Sequence, residues 1–237
     1  MAKNKLKFYK KSHKYKVGSV ELTSVTRFIH GFFKPFDAKE IARKLAKFKA
    51  NRDAKRGVRY WLAQWKQDSE HGTRVHNALE DYIVTKTTDG LELPEERDIN
   101  KFTNGFSFLE NLTDFKLLEP EVKMFDEELG LAGTIDLLIT NADDTVSLVD
   151  WKTNKAIKNK SFSGNEKGKA PLQDLNDCNL VHYSLQLSTY AYMLERSGKV
   201  IKTLTLVHLQ EDKYKEYNID YEEYKPFVIK MLEAKNE

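Results

Sequence analysis

The stretch AGTIDLLITNADDTVSLVDWK, residues 132–152, decides how the rest of the chain is read. Two apolar runs, residues 137–139 and 146–149, flank a polar break of Asn141, Ala142, Asp143, Asp144 and Thr145, which is the pattern of a β-hairpin. Each run carries a carboxylate at one end: Asp136 opens the first and Asp150 closes the second. Side chains alternate faces along a strand, so Asp150 and Lys152 point one way and Trp151 the other. Pairing around a turn at 141–144 brings Asp136 and Asp150 together at the hairpin's open end. Two carboxylates and an ammonium at the ends of apolar strands are costly to bury unless something binds them. Oxygen ligands of this kind suit Mg²⁺ or Mn²⁺. Taken alone, a D-x-K triplet is a common solvated pair, so its meaning here depends on the remainder of the chain.

At 237 residues and ordinary globular composition, the chain can bury one substantial core. The expectation is a single domain over residues 1–237, with a basic N-terminal annex at 1–66 and the core at 67–237. No apolar run approaches a membrane span, and no membrane partner is expected. The start of the chain has neither the apolar segment of a signal peptide nor the Arg/Ser bias of a transit peptide. The single cysteine, Cys178, excludes an internal disulfide framework and fits a reducing, cytoplasmic setting. It also excludes an all-cysteine zinc or iron–sulfur site within this chain. The net charge of +3 hides an asymmetry: residues 1–66 hold 19 Lys and Arg against four acidic residues, a local +15, and the rest is −12. A basic third beside an acidic body suggests a polyanionic partner, most simply nucleic acid; solvated charge is the alternative.

In chain order, residues 1–22 read as a short basic hairpin around Lys14, and Thr23, Ser24 and Thr26 offer hydroxyl caps for a helix. From Asp37 the pattern is helical, with Ile41, Leu45 and Phe48 on one face and Lys39, Arg43, Lys44 and Lys47 around it. Lys55, Arg56 and Arg59 then mix with Tyr60, Trp61 and Trp65. Such interleaving suits a platform for unpaired bases, while Trp61 and Trp65, four apart, fit core anchors equally well. Residues 69–86 form the clearest helix, capped at Ser69 or Thr73, with His76 and Glu80 on one face. A second helix runs through Phe102, Phe106, Leu109 and Leu112. Residues 116–129 are strand-like and contain Glu121, and the hairpin follows. Residues 153–180, rich in Lys and Gly, read as a mobile basic loop beyond the site. A helix from His182 to Glu195 carries Gln186 and Tyr190, followed by strands at 200–209 and 213–220 and a closing helix. This order predicts an α/β fold: a central mixed sheet flanked by helices, with a helical N-terminal annex.

Assembled, these residues resemble the PD-(D/E)XK nuclease superfamily in its RecB-like exonuclease branch, which includes CRISPR-associated single-strand exonucleases, the mitochondrial genome maintenance exonuclease and phage exonucleases. The resemblance spans roughly residues 70–210. Gly72, His76 and Glu80 match a helical G-x-x-x-H-x-x-x-E element, and Gly133 to Asp136 match a G-x-x-D strand. Asp150-Trp151-Lys152-Thr153 match D-x-K-T, and Gln186-Leu187-Ser188-Thr189-Tyr190 match a Q-L-x-x-Y helix. Several relatives hold an iron–sulfur cluster with four cysteines; a chain with one looks like the cluster-free, phage-like type.

The resemblance implies a restriction-endonuclease-like core and a magnesium-dependent deoxyribonuclease acting in DNA repair or recombination. His76, Asp136, Asp150 and the backbone carbonyl of Trp151 would hold one or two Mg²⁺ or Mn²⁺ ions. Lys152 would orient the attacking water or neutralise phosphate charge, and Glu80 would partner His76 or a metal-bound water. Glu121 is expected near the cluster. Gln186, Tyr190, Thr153, Lys155, Trp61, Trp65, Arg56 and Arg59 would contact the substrate, expected to be DNA that is single-stranded or has single-stranded ends. A site- or structure-specific endonuclease and a catalytically silent DNA-end-binding module are the alternatives.

Overall fold

The computed structural model describes residues 6–9, 14–161 and 164–235. In chain order the elements are β1 (Leu6–Tyr9), β2 (Lys14–Val17), β3 (Val20–Ser24), α1 (Val25–Gly31), α2 (Ala38–Lys47), α3 (Lys49–Asp53), α4 (Val58–Thr85) and α5 (Glu96–Glu110). They continue with β4 (Phe115–Asp126), β5 (Leu131–Asn141), β6 (Val146–Lys152), α6 (Asn179–Arg196), β7 (Ile201–Leu209), β8 (Tyr214–Ile219) and α7 (Tyr221–Lys235).

The strands form one mixed sheet in the order β1-β2-β3-β5-β6-β7-β8, with β4 also paired to β5. Helices cover both faces, as the sequence predicts. On one face α1, α6 and α7 meet the sheet through Ile29, Leu148, Leu185, Leu187 and Met231. On the other, α4 and α5 meet it through Val75, Leu79, Phe108, Leu137 and Trp151. Each fully buried aliphatic side chain of this kind contributes about 1.5–3 kcal/mol, so the two cores clamp the middle strands from both sides.

The annex is only partly helical. Instead of one hairpin, β1, β2 and β3 form an antiparallel meander, and the 10–13 connection lies outside the described residues. The second turn falls at Gly18, whose φ of +60° is a left-handed conformation that costs glycine least. Ser24 then caps α1, accepting from the Arg27 amide at 3.2 Å, and Asp37 caps α2 through the Glu40 amide at 2.9 Å.

Two further expectations change. The helix read from Ser69 begins eleven residues earlier, at Val58, so Ser69 and Thr73 lie inside α4; the Thr73 hydroxyl bonds back to the Ser69 carbonyl. Trp61, Leu62 and Trp65 extend the apolar period through polar residues that only decorate the exposed side. The basic loop after Lys152 is anchored over its described residues. Leu172 is fully buried in the main core, and the Lys169 amide and ammonium bond to the carbonyls of Phe32 and Gly31.

What positions the site is a fork in the sheet. Strand β4 runs antiparallel along one edge of β5. The other edge is shared: β3 pairs in parallel at Leu131 and Ala132, and β6 pairs antiparallel from Leu137 to Thr140. Between these partners, residues 133–136 of β5 face a gap. The face alternation also slips there. Ile135 and Leu138 share one core, while Leu137 and Ile139 belong to the other. Opposite the slip, Glu121 on β4 has φ +49°, a left-handed conformation costly for a residue with a Cβ. Strain of this kind inside a paired strand persists where the surroundings over-determine it, and it clusters at functional sites.

Candidate active site

The register of β5 and β6 reaches Leu137–Val149. One step further sets Asp136 opposite Asp150, at the open end of the hairpin, as expected. In place of a ladder bond, the Trp151 amide donates to Asp136 Oδ2 at 2.9 Å. His76, carried by α4, brings its Nδ1 to 3.5 Å from the same oxygen. Glu121 completes the group: one ligand atom each from His76, Glu121 and Asp136 lie within 4.8 Å of one another. An imidazole and two carboxylates, half-exposed and convergent, fit a divalent cation bound largely through oxygen.

Asp150 and Lys152 project from the next strand. Their Nζ to Oδ2 separation is 2.5 Å, an ion pair in which the ammonium meets an enclosed carboxylate oxygen. Burial, reinforced by the negative charge of Asp136 and opposed by Lys152, pushes the Asp150 carboxyl up to about 6. For Lys152 burial works against the ammonium, but Asp150 and Asp136 outweigh it and hold the group above its ordinary value. Its Nζ also lies 4.2 Å from the centre of the Tyr183 ring, on α6.

Glu80 sits one helical turn beyond His76, half-buried, and is not in the convergent group. Thr153 packs against α4 where Gly72 leaves room; a Cβ there would lie 2.8 Å from the Thr153 hydroxyl. Tyr190 is buried rather than open to a substrate. Its ring fills the space that Gly133 leaves, and a Cβ on Gly133 would come within 2.5 Å of it. Burial, with the charges of Tyr15, Asp150 and Asp136, holds its phenol above the ordinary value, while Gln186 bonds to it. Lys155, Arg56 and Arg59 are exposed. Trp61 and Trp65 are half-buried, edge-on to Tyr60 and Phe36, which favours their reading as anchors. The aromatics open to solvent nearby are Phe36, Phe48 and Tyr60, with Arg56 over the Tyr60 ring at 5.6 Å.

Sequence reasoning missed a set of buried charged groups beside the site: Asp98 and Lys101 on α5 and His208 on β7. The available signals were small: Lys101 interrupts an apolar stripe next to Phe102, and His208 follows an apolar strand run.

Residues 102–230 match the PD-(D/E)XK nuclease superfamily, over half of the chain, and the chain belongs to that family. Nucleases of this family use divalent metals, in keeping with the convergent group at His76, Glu121 and Asp136. No curated protein matches the chain. Among solved structures, one titled "Crystal structure of SSO0001" shares 17% identity over 68% of this chain and 74% of that one, with a TM-score of 0.29. Among the described residues no helix is long and apolar enough to cross a membrane.

Proposed function

We propose that the protein is an Mg²⁺- or Mn²⁺-dependent exonuclease that hydrolyses single-stranded DNA, or single-stranded tails, from a free end. The observation that carries this reading is the convergence of His76, Glu121 and Asp136 beside the buried Asp150–Lys152 pair. In this reading His76, Glu121, Asp136, Asp150 and the carbonyl of Trp151 hold one or two ions. Ions bound there would polarise the scissile phosphate, lower the pKa of the attacking water and offset charge on the leaving oxygen. Lys152, kept charged by two neighbouring carboxylates, orients the water or neutralises charge on the phosphate. Glu80 partners His76 from the next turn of α4. Tyr190 holds β5 in place from behind Gly133 and leaves Gln186 to face the strand.

The single-strand preference is supported by the annex. Exposed Arg56, Arg59, Phe36, Phe48 and Tyr60 combine phosphate-neutralising charge with faces on which unpaired bases stack. Lys155, exposed just beyond the site, extends that charge towards it.

The test compares a linear single strand with the same sequence ligated into a circle, at equal Mg²⁺ and in excess EDTA. Loss of the linear strand alone, and only with metal, is the expected result. Equal loss of the circle makes the enzyme an endonuclease, and full activity in EDTA ends the metal assignment.

A further inference from the structure

Strand β6 ends at Lys152, and the chain leaves the sheet with the carbonyls of Thr153 and Asn154 no longer in a ladder. Buried carbonyls need partners. Two side chains from different elements supply them: Lys101 Nζ of α5 donates to the Thr153 carbonyl at 2.5 Å, and His208 Nε2 of β7 donates to the Asn154 carbonyl at 2.6 Å. Lys101 is 6% exposed and His208 1%. Donation from Nε2 leaves Nδ1 of His208 to accept, and the Gln210 amide lies 3.4 Å from it. The Gln210 carbonyl in turn accepts from Asn104 of α5 at 3.1 Å, so the two clamping elements are tied to each other.

The third side is α4. Gly72 presses on Thr153 with no room for a Cβ. Helix α4 is locked to α5 by His71 and Arg74, which both bind the fully buried Asp98, Arg74 at 2.7 and 3.0 Å. Burial lowers both Lys101 and His208 from their ordinary values. A protein core carries a buried ammonium at a cost, and here the ammonium lies between the backbone carbonyl adjoining Lys152 and the exposed carboxylate of Glu211, 3.8 Å away. Charged groups that touch a catalytic segment without joining it orient that segment, as outer partners orient metal ligands.

We propose that Lys101 and His208 are positioning residues: by fixing the backbone at Thr153 and Asn154, they hold the Trp151 carbonyl and the Lys152 ammonium aimed at the His76–Glu121–Asp136 group. The proposal rests on the nuclease reading of that group. The two residues act through the backbone, so a donor of any kind at either position serves.

The test measures Mn²⁺ binding by calorimetry, kcat and KM on a linear single-stranded oligonucleotide with Mg²⁺, and melting in EDTA. Lys101→Met, which keeps the apolar stem, should weaken Mn²⁺ binding and lower kcat by about 10–100-fold at nearly constant KM. Lys101→Arg, which restores a donor, should recover most of both. If Lys101→Met fails to fold, the pair His208→Leu and His208→Gln carries the same comparison, with loss expected only in the first. Wild-type Mn²⁺ binding and kcat in folded Lys101→Met, or a loss that the donor-bearing variants do not recover, overturns the proposal alone. Absence of Mn²⁺ binding and cleavage by the wild-type protein sinks the nuclease reading and this proposal with it.

Discussion

The backbone amide of Trp151 donates to the carboxylate of Asp136 at 2.9 Å, just past Leu137–Val149, the last registered pair of β5 and β6. A side chain takes over from the backbone at the point where the sheet forks. Asp136 is therefore fixed by the strand that carries Asp150 and Lys152, and the two halves of the site cannot drift independently.

From this link, Asp136→Ala, Asp150→Ala and Lys152→Ala should each abolish or severely reduce cleavage while DNA binding persists. Charge stabilisation of the kind assigned to Lys152 is worth roughly 10²–10³-fold in kcat. Binding to a fluorescent single strand in Ca²⁺ and cleavage in Mg²⁺ separate the two effects. Wild-type turnover in the Asp150 variant would remove that residue from the site.

Glu121 combines a left-handed backbone with a carboxylate in the convergent group. Asn tolerates that conformation better and carries no charge to repel Asp136. Glu121→Asn should therefore stabilise the metal-free protein by roughly 1 kcal/mol while weakening Mn²⁺ binding. Thermal melting in EDTA and Mn²⁺ titration should move in opposite directions; a variant that loses stability along with metal would show that the strained backbone is not the cost assigned to it.

Much of this was legible in the sequence, and the reasons differ by residue. Asp136, Asp150 and Lys152 stood out because the strand period is two and each sits at the end of an apolar run. Ser24 announced its helix by local capping chemistry, and the helix after Asp37 is announced by the period of Ile41, Leu45 and Phe48. The fork at residues 133–136 was not legible, because β3 and β6 are distant in sequence and share an edge only in the folded sheet. The α4 start is obscured because its N-cap, Gly57, makes no side-chain cap bond, whereas Ser69 and Thr73 inside the helix have the residue types of caps. Lys101 and His208 leave only faint signals, a charge beside Phe102 and a histidine after an apolar run, because the backbone carbonyls they bind leave no trace in residue type.

Metal affinity should depend on pH through Asp150, whose carboxyl is pushed up to about 6 by burial and by the charge of Asp136. Below that value the group holds a proton that an incoming cation must displace, and above it the carboxylate is already free. The Asp150 contribution to Mn²⁺ affinity should therefore fall by about fivefold between pH 6 and pH 5 and be nearly flat above pH 7. Titrations in buffers of different ionisation enthalpy count the released protons. An Asp150→Asn variant that releases as many protons at pH 5 as the wild type would assign the linkage elsewhere.

The annex should set affinity by neutralising phosphate. Lys44, Lys47 and Arg56 are exposed, and only an exposed carboxylate, Glu40 at 2.6 Å, pairs with Lys44. Reversing all three to Glu should flatten the slope of log affinity against log salt by about 2 for a single strand, since each phosphate contact contributes about 0.7. An unchanged slope would put the binding track on another face.

The last prediction concerns Gly133, three residues before Asp136 on the open edge of β5. A Cβ there would sit 2.5 Å from the Tyr190 ring, and that ring is 3% exposed, with little freedom to swing aside. Gly133→Ala should destabilise the protein by about 1–3 kcal/mol through overpacking, and kcat should fall because the edge bearing Asp136 must shift. Tyr190→Leu, which removes the ring, opens a void of its own. In the double variant the new methyl occupies part of that void, so the two costs should not add. Contacting pairs typically show interaction energies of about 0.5–3 kcal/mol, and here the sign should favour the double variant over the sum of the singles. Chemical denaturation of all four proteins measures this. Additivity within about 0.5 kcal/mol would mean that the methyl is accommodated some other way, and that Gly133 is not there to admit Tyr190.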